Sequence, residues 1–263
     1  MTFQLFQVDA FTQEPFRGNP AGVFLLAESR PEDWMQAMAS EMNLSETAYL
    51  QKEGEAWRLR WFTPKAEVSL CGHATLASAK VLFEIGLAPK DQPIRFNTLS
   101  GHLSARWRDG KVELDFPCMV PEPLEVDSRV QSALGIRPMA CVRSGNYFLY
   151  ETENAAAVRQ AKPDFVALAA SPTPEVIITA RSDDSKFDFI SRFFAPQLGI
   201  DEDPVTGSAH CLLTPYWAGK LGKTAFTAYQ ASARGGVLAV ELVEDRVLIA
   251  GDARIVFKAE LLV

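Results

Sequence analysis

The chain has 263 residues, 48% of them hydrophobic and 22% charged, which supplies core enough for two domains and excludes the disordered and fibrous classes. Its formal net charge of -7, with no Lys/Arg cluster longer than a pair, speaks against a nucleic-acid or anionic-membrane footprint. Apolar stretches such as VFLLA at 23–27 fall far short of the roughly 20 residues of a bilayer span, so a small molecule is the expected partner and no membrane is.

The start, MTFQLFQVDAF, has no basic leader and runs straight into a strand-like alternation, so it reads as folded protein and not as a signal peptide. Aromatic and branched residues predict strands over 3–11, 21–27, 46–52, 56–63 and 111–116. PEDWMQAMASEM, 31–42, predicts a helix with Pro31 in its first turn. Its Trp34, Met35, Met38 and Met42 recur at helical spacing and read as core packing, not as a ligand box. HATLASAKVLFEIG, 73–86, predicts a second helix ended by Gly86. Four cysteines without regular spacing fit reduced thiols in a cytoplasmic protein. The absence of a G-x-G-x-x-G or Walker loop gives no support to a nucleotide cofactor.

An internal repeat organises the rest. Gly18-Asn19 returns as Gly145-Asn146, an offset of 127; Glu46 opening ETAYL returns as Glu175 opening EVIIT, 129; WFTP ending at Pro64 returns as FFAP ending at Pro196, 132; CGHATLA with Gly72 returns as TGSAHCL with Gly207, 135. Four matches in the same order, with slowly growing offsets, describe two copies of one unit. Each unit is expected to run strand, strand, helix, strand, strand ending in Phe-x-Pro, then a small-residue turn into a helix wrapped by a curved sheet. The Pro-rich segment FPCMVPEPLEVD, 116–127, marks the junction. The expected class is α+β, with domains 1–117 and 118–263 and a last strand able to return to the first domain.

The paired turns are the expected site. Gly72 and Gly207 free the backbone at two helix starts, whose first-turn N–H groups carry the positive end of the helix dipole and suit an anion such as a carboxylate. His73 accompanies one turn, Asp203 and Ser208 the other, whereas His102 and His210 are expected to be structural. Asp203, before Pro204, and Ser208 also suit plain turn and capping roles. Glu46 stands at the mouth of a strand; beside apolar walls its carboxylate pKa would rise and suit a general base. Cys71, His73, His210 and Cys211 are all metal-ligand types, but residues one or two apart at a helix start are not expected to face one another. Neither zinc nor a Cys71–His73 nucleophilic pair is therefore expected.

VDAFTQEPFRGNPAGVF, MNLSETAYL, FTPKAEVSLCGHATLA and DEDPVTGSA resemble, in order and over nearly the whole chain, the PhzF-like family of phenazine-biosynthesis isomerases. That resemblance implies a diaminopimelate-epimerase-like fold of two similar domains, each a barrel-like sheet around a central helix, with the active site between them, a homodimer and no cofactor. It places the family's acid/base glutamate on Glu46, its glycine-histidine pair on Gly72 and His73, its aspartate on Asp203 and its glycine-serine pair on Gly207 and Ser208, with Asn19 near the substrate. The implied reaction is proton transfer between carbons of a small carboxylated metabolite; in the family's characterised member this is a dihydro-hydroxyanthranilate. Related epimerases use two thiols, one from each half. Here Cys71 stands at the first position but Thr206 at the second, and Cys211 is expected to pack. An epimerase using Cys71 and a noncatalytic small-molecule binding protein remain the alternatives.

Overall fold

Two runs of strands, each closed over one apolar helix, make up the computed structural model, which describes residues 4–261. By contact the chain divides into Met1–Asp115 with Ala250–Val263, and Phe116–Ile249. The first unit contains β1 (Gln4–Ala10), β2 (Asn19–Leu26), α1 (Glu32–Met42), β3 (Glu46–Glu53), β4 (Ala56–Phe62), β5 (Glu67–Val68), α2 (Gly72–Glu84), β6 (Ile94–Thr98), β7 (Gly101–Arg108) and β8 (Lys111–Pro117). The second contains β9 (Glu122–Pro123), α3 (Ser128–Leu134), β10 (Ala140–Ser144), β11 (Tyr147–Glu151), α4 (Ala155–Gln160), α5 (Phe165–Ala169), β12 (Glu175–Arg181), β13 (Phe189–Ala195), a 3-10 turn (Pro196–Leu198), β14 (Ile200–Asp203), α6 (His210–Leu221), β15 (Ala225–Gln230), β16 (Gly236–Val243) and β17 (Arg246–Gly251). β18 (Ala253–Glu260) then pairs antiparallel with β1 in the first unit. Phe3, where the first strand was expected to open, lies outside the described residues.

Strand pairing follows the repeat read from the sequence. In the first unit β1–β2 is antiparallel, β2–β3 parallel with Ala21 opposite Glu46, β3–β4 antiparallel, β4–β6 parallel and β6–β7 antiparallel. The second unit repeats it: β10–β11 antiparallel, β11–β12 parallel with Tyr147 opposite Glu175, β12–β13 antiparallel, β13–β15 parallel and β15–β16 antiparallel. Both units also share a brace that the four motifs do not include. Arg60 on β4 grips Glu67 on β5 through Nε and Nη2, each at 2.6 Å, and Arg192 on β13 grips Glu202 on β14 at 2.7 and 2.9 Å. The two-point geometry fixes the strand that leads into each site turn.

The central strands are apolar on both faces because a helix covers each face. On one side Met35 and Ala39 of α1 pack with Phe24, Tyr49 and Phe62, and Trp34, Met38 and Met42 flank them, so the methionine–tryptophan stripe is core. Tyr49 stacks on Phe24 with centroids 5.3 Å apart, and its hydroxyl donates to Met35 O at 2.6 Å, tying sheet to helix. On the other side α2 is buried almost all round, from His73 to Ala79 and from Val81 to Phe83, as a helix enclosed by its sheet must be. Pro31 is the N-cap of α1, one residue before the expected first turn. Gly86 takes φ +76 just beyond the end of α2, the left-handed conformation that stops it.

α6 departs from the expectation that a helix begins on Gly207-Ser208. Residues Gly207 to Ala209 form a tight turn, with His210 N donating to Gly207 O at 2.9 Å and Cys211 N to Ser208 O at 3.0 Å, and the helix starts at His210. Inside α6, Pro215 has no N–H for the carbonyl four residues back, and that carbonyl, Cys211 O, accepts from Met119 N at 3.0 Å instead. Among the described residues no helix is long and apolar enough to cross a membrane.

Candidate active site

In the first unit three chain segments deliver side chains to one buried point. Gly18 precedes Asn19 at φ +64, where a Cβ would lie 2.1 Å from Ala10 O, so only glycine lets the chain turn into β2 with Asn19 opposite Ala10. Glu46 is the first residue of β3. Cys71 caps α2 from an extended conformation, φ -147 and ψ 110, without a side-chain cap bond, and His73 sits in the first turn.

Asn19 is fully buried, His73 is 5% exposed and Glu46 9%. Asn19 Nδ2 lies 3.1 Å from His73 Nδ1, and His73 Nε2 stands 3.2 Å from Glu46 Oε2. Burial pushes the His73 pKa down to about 3, so the imidazole is neutral at pH 7. With the Asn19 amide as donor, Nδ1 accepts and the ring proton belongs on Nε2, on the Glu46 side. Asn19 thereby sets the tautomer that presents N–H to the carboxylate. Cys71 Sγ reaches His73 Nδ1 at 3.5 Å. This corrects the expectation that residues two apart do not face one another: the helical rule applies when both residues are helical, and Cys71 is not.

In the second unit Asp203 ends β14 and is 8% exposed. Thr206 Oγ1 donates to Asp203 Oδ2, Gln230 Nε2 donates to Asp203 O at 2.9 Å, and Thr206 N donates to Gln230 Oε1 at 2.9 Å. Ser208 accepts from the Tyr147 hydroxyl at 2.9 Å. Burial first, then the nearby Glu175, raise the Tyr147 pKa, so it stays a protonated donor; burial likewise raises the Glu175 carboxyl. His210 is fully buried with its pKa lowered to about 4 by burial, and its Nδ1–H donates to Thr206 O at 2.8 Å, a structural role. His102 is exposed and lies beside Asn97 Oδ1. Cys211 is 2% exposed and packs.

Asn19, Glu46, Gly72 and His73 therefore share one cluster within the first unit, and Asp203, Gly207 and Ser208 share the turn of the second. Sequence reasoning missed Tyr147 and Gln230. Tyr147 directly follows the repeated Gly145-Asn146, a usable signal. Gln230 had none, because its place depends on the pairing Ser191 opposite Gln230 between β13 and β15.

A family model described as phenazine biosynthesis-like protein, PhzC-PhzF, matches residues 8–259. An uncharacterized isomerase of Halalkalibacterium halodurans is 48% identical over 263 residues, 100% of this chain and 99% of that protein. A PhzF-family protein from Enterococcus faecalis has a solved structure that superposes with TM-score 0.96 at 42% identity, covering 100% of both chains. A probable proline racemase from Agrobacterium radiobacter superposes with TM-score 0.65 at 14% identity over 100% of this chain and 93% of its own, a likeness of fold alone. The α+β architecture is thus of the diaminopimelate-epimerase type.

Proposed function

Since the chain belongs to the phenazine biosynthesis-like PhzC-PhzF family, we propose that this isomerase-family protein moves a proton between carbons of a small carboxylated metabolite, with Glu46 as the proton carrier. The carrying observation is the line Asn19–His73–Glu46. A carboxylate nine-tenths buried faces the N–H of a histidine that does not itself charge at pH 7. His73, 3.2 Å away, then positions the Glu46 carboxylate, while Glu46 removes the proton from carbon and returns it at a second carbon.

The amide groups of the turns at Gly72 and Gly207 hold the substrate carboxylate, and the same donors stabilise the enolate-like charge of the transition state. Support for this placement is the recurrence of the same turn in both halves of the sequence. Asp203 and Ser208, fixed by Thr206, Gln230 and Tyr147, orient the substrate from the second turn. The protein acts without a cofactor, as a homodimer in the cytoplasm, in keeping with its family resemblance.

Two-thiol epimerisation is disfavoured because the residue matching Cys71 is Thr206, whose hydroxyl is committed to Asp203. Glu46→Gln tests the proposal. The variant is expected to fold and to bind the carboxylated substrate while turnover falls by about 10²- to 10⁴-fold. Undiminished turnover removes Glu46 from its role, and deuterium entry with inversion that Cys71→Ser abolishes would favour the epimerase instead.

A further inference from the structure

The thiol brought to His73 is not used by the proton transfer, and it changes what the cluster is able to bind. One donor atom each from Glu46, Cys71 and His73 lies within 4.8 Å of the other two. A tetrahedral zinc, with Zn–S near 2.3 Å and Zn–N and Zn–O near 2.0–2.1 Å, sets S and N about 3.6 Å apart and N and O about 3.4 Å apart. Here Glu46 Oε2 is 3.2 Å from His73 Nε2, the nitrogen that faces the carboxylate, while the 3.5 Å contact of Cys71 Sγ is to the opposite nitrogen, Nδ1. The Nε2 atom is buried, and its approach to the carboxylate lies off the hydrogen-bond direction, so it has no hydrogen-bond partner among the described residues.

We propose that Glu46, Cys71 and His73 form a site for one zinc ion, and that the ion switches off the isomerase. The switching part rests on the function proposed above; the binding part does not. Thiolate, imidazole and carboxylate together suit zinc rather than magnesium or calcium, which take oxygen ligands. Three protein ligands leave a fourth position for water or a substrate oxygen.

The two short contacts use opposite nitrogens of the ring, so closing the shell needs a small rearrangement. Zinc takes Nε2, whose proton leaves to solvent while Nδ1 takes one up, and Asn19 turns its amide over so that Oδ1 accepts Nδ1–H, the outer-shell support that metal-bound histidines have. Cys71 Sγ closes on the ion, and its thiol proton leaves to solvent as the Zn–S bond forms. Glu46, now a ligand, no longer takes a proton from carbon.

The test is a titration of zinc into the chelator-treated full chain against a chromophoric zinc indicator, with no substrate present. One equivalent is expected to bind with Kd below about 1 µM. Cys71→Ser is expected to weaken it by more than about 100-fold and Asn19→Ala by about tenfold, with Cys118→Ser unchanged. Cobalt in place of zinc is expected to give a thiolate-to-metal absorption band that Cys71→Ser abolishes and Cys118→Ser keeps. Circular dichroism that matches the unsubstituted chain shows each variant folded. Binding weaker than about 10 µM, or binding that survives Cys71→Ser intact, overturns the site. Stoichiometric binding with full activity overturns the switch alone; failure of the unsubstituted chain to bind zinc, with activity lost in Glu46→Gln, sinks the metal site and leaves the proton-transfer reading standing.

Discussion

The two halves share strand order and an Arg–Glu brace, yet the first sets a buried histidine beside its glutamate and the second a tyrosine. Where the first half sets Cys71, Gly72 and His73 at a helix that starts on the glycine, the second sets Thr206, Gly207 and Ser208 in a turn that precedes its helix. Glu46 faces an imidazole; its counterpart Glu175 lies near the protonated Tyr147. On the function proposed above, a duplicated frame keeps its scaffold while its chemistry is one-sided. One base on one face moves a proton between carbons, whereas symmetrical bases invert a carbon.

The largest expected effect breaks this comparison at the two glutamates. Glu46→Gln should cost about 10²- to 10⁴-fold in turnover, and Glu175→Gln less than about tenfold. Equal losses measured in steady-state kinetics would mean the halves are not specialised.

Acid should separate the two histidines next. Both are buried neutral, with pKa lowered from 6.5 to about 3 for His73 and about 4 for His210. Above about pH 6.5 neither form, folded or unfolded, takes up protons on these rings. Below it the unfolded chain binds protons that the native state refuses, so stability falls as pH falls, down to about 4 for His210 and about 3 for His73. Urea unfolding across this range should show the decline, and His210→Gln and His73→Gln should each flatten it. A slope that neither variant alters would contradict the burial argument.

The braces should differ in a graded way. Arg60→Met should destabilise by about 3 kcal/mol, the low end for breaking a buried pair, since both side chains keep some exposure. Arg192→Met should cost more, because Arg192 also donates to Val158 O and Ala161 O at the end of α4. Denaturant midpoints decide the order. Tyr147→Phe should give the smallest change, about fivefold in turnover, from one lost hydrogen bond to Ser208.

Much of this was legible in the sequence because glycines, prolines and short motifs mark backbone geometry directly. Gly18 and Gly72 return in order as Gly145 and Gly207, and the parallel pairing that seats Glu46 opposite Ala21 returns with Glu175 opposite Tyr147, one residue from the position that matches Ala21. What stayed hidden depends on contacts between strands. Arg60 and Glu67 recur at the offsets of their neighbouring motifs as Arg192 and Glu202, but nothing local says that they pair until β4 meets β5. β14 is only four residues long, and Gln230 reaches Asp203 only because β15 lies beside β13. The Cys71–His73 contact was hidden by a helical spacing rule applied to a residue in an extended conformation.

Hydrogen exchange at carbon tests Glu46 as the proton carrier most directly. A carboxylated metabolite that the protein isomerises, incubated with it in deuterium oxide and followed by mass spectrometry and NMR, should gain deuterium at the isomerised carbon with the unsubstituted chain and none above background with Glu46→Gln. Equal exchange by both proteins would contradict the account.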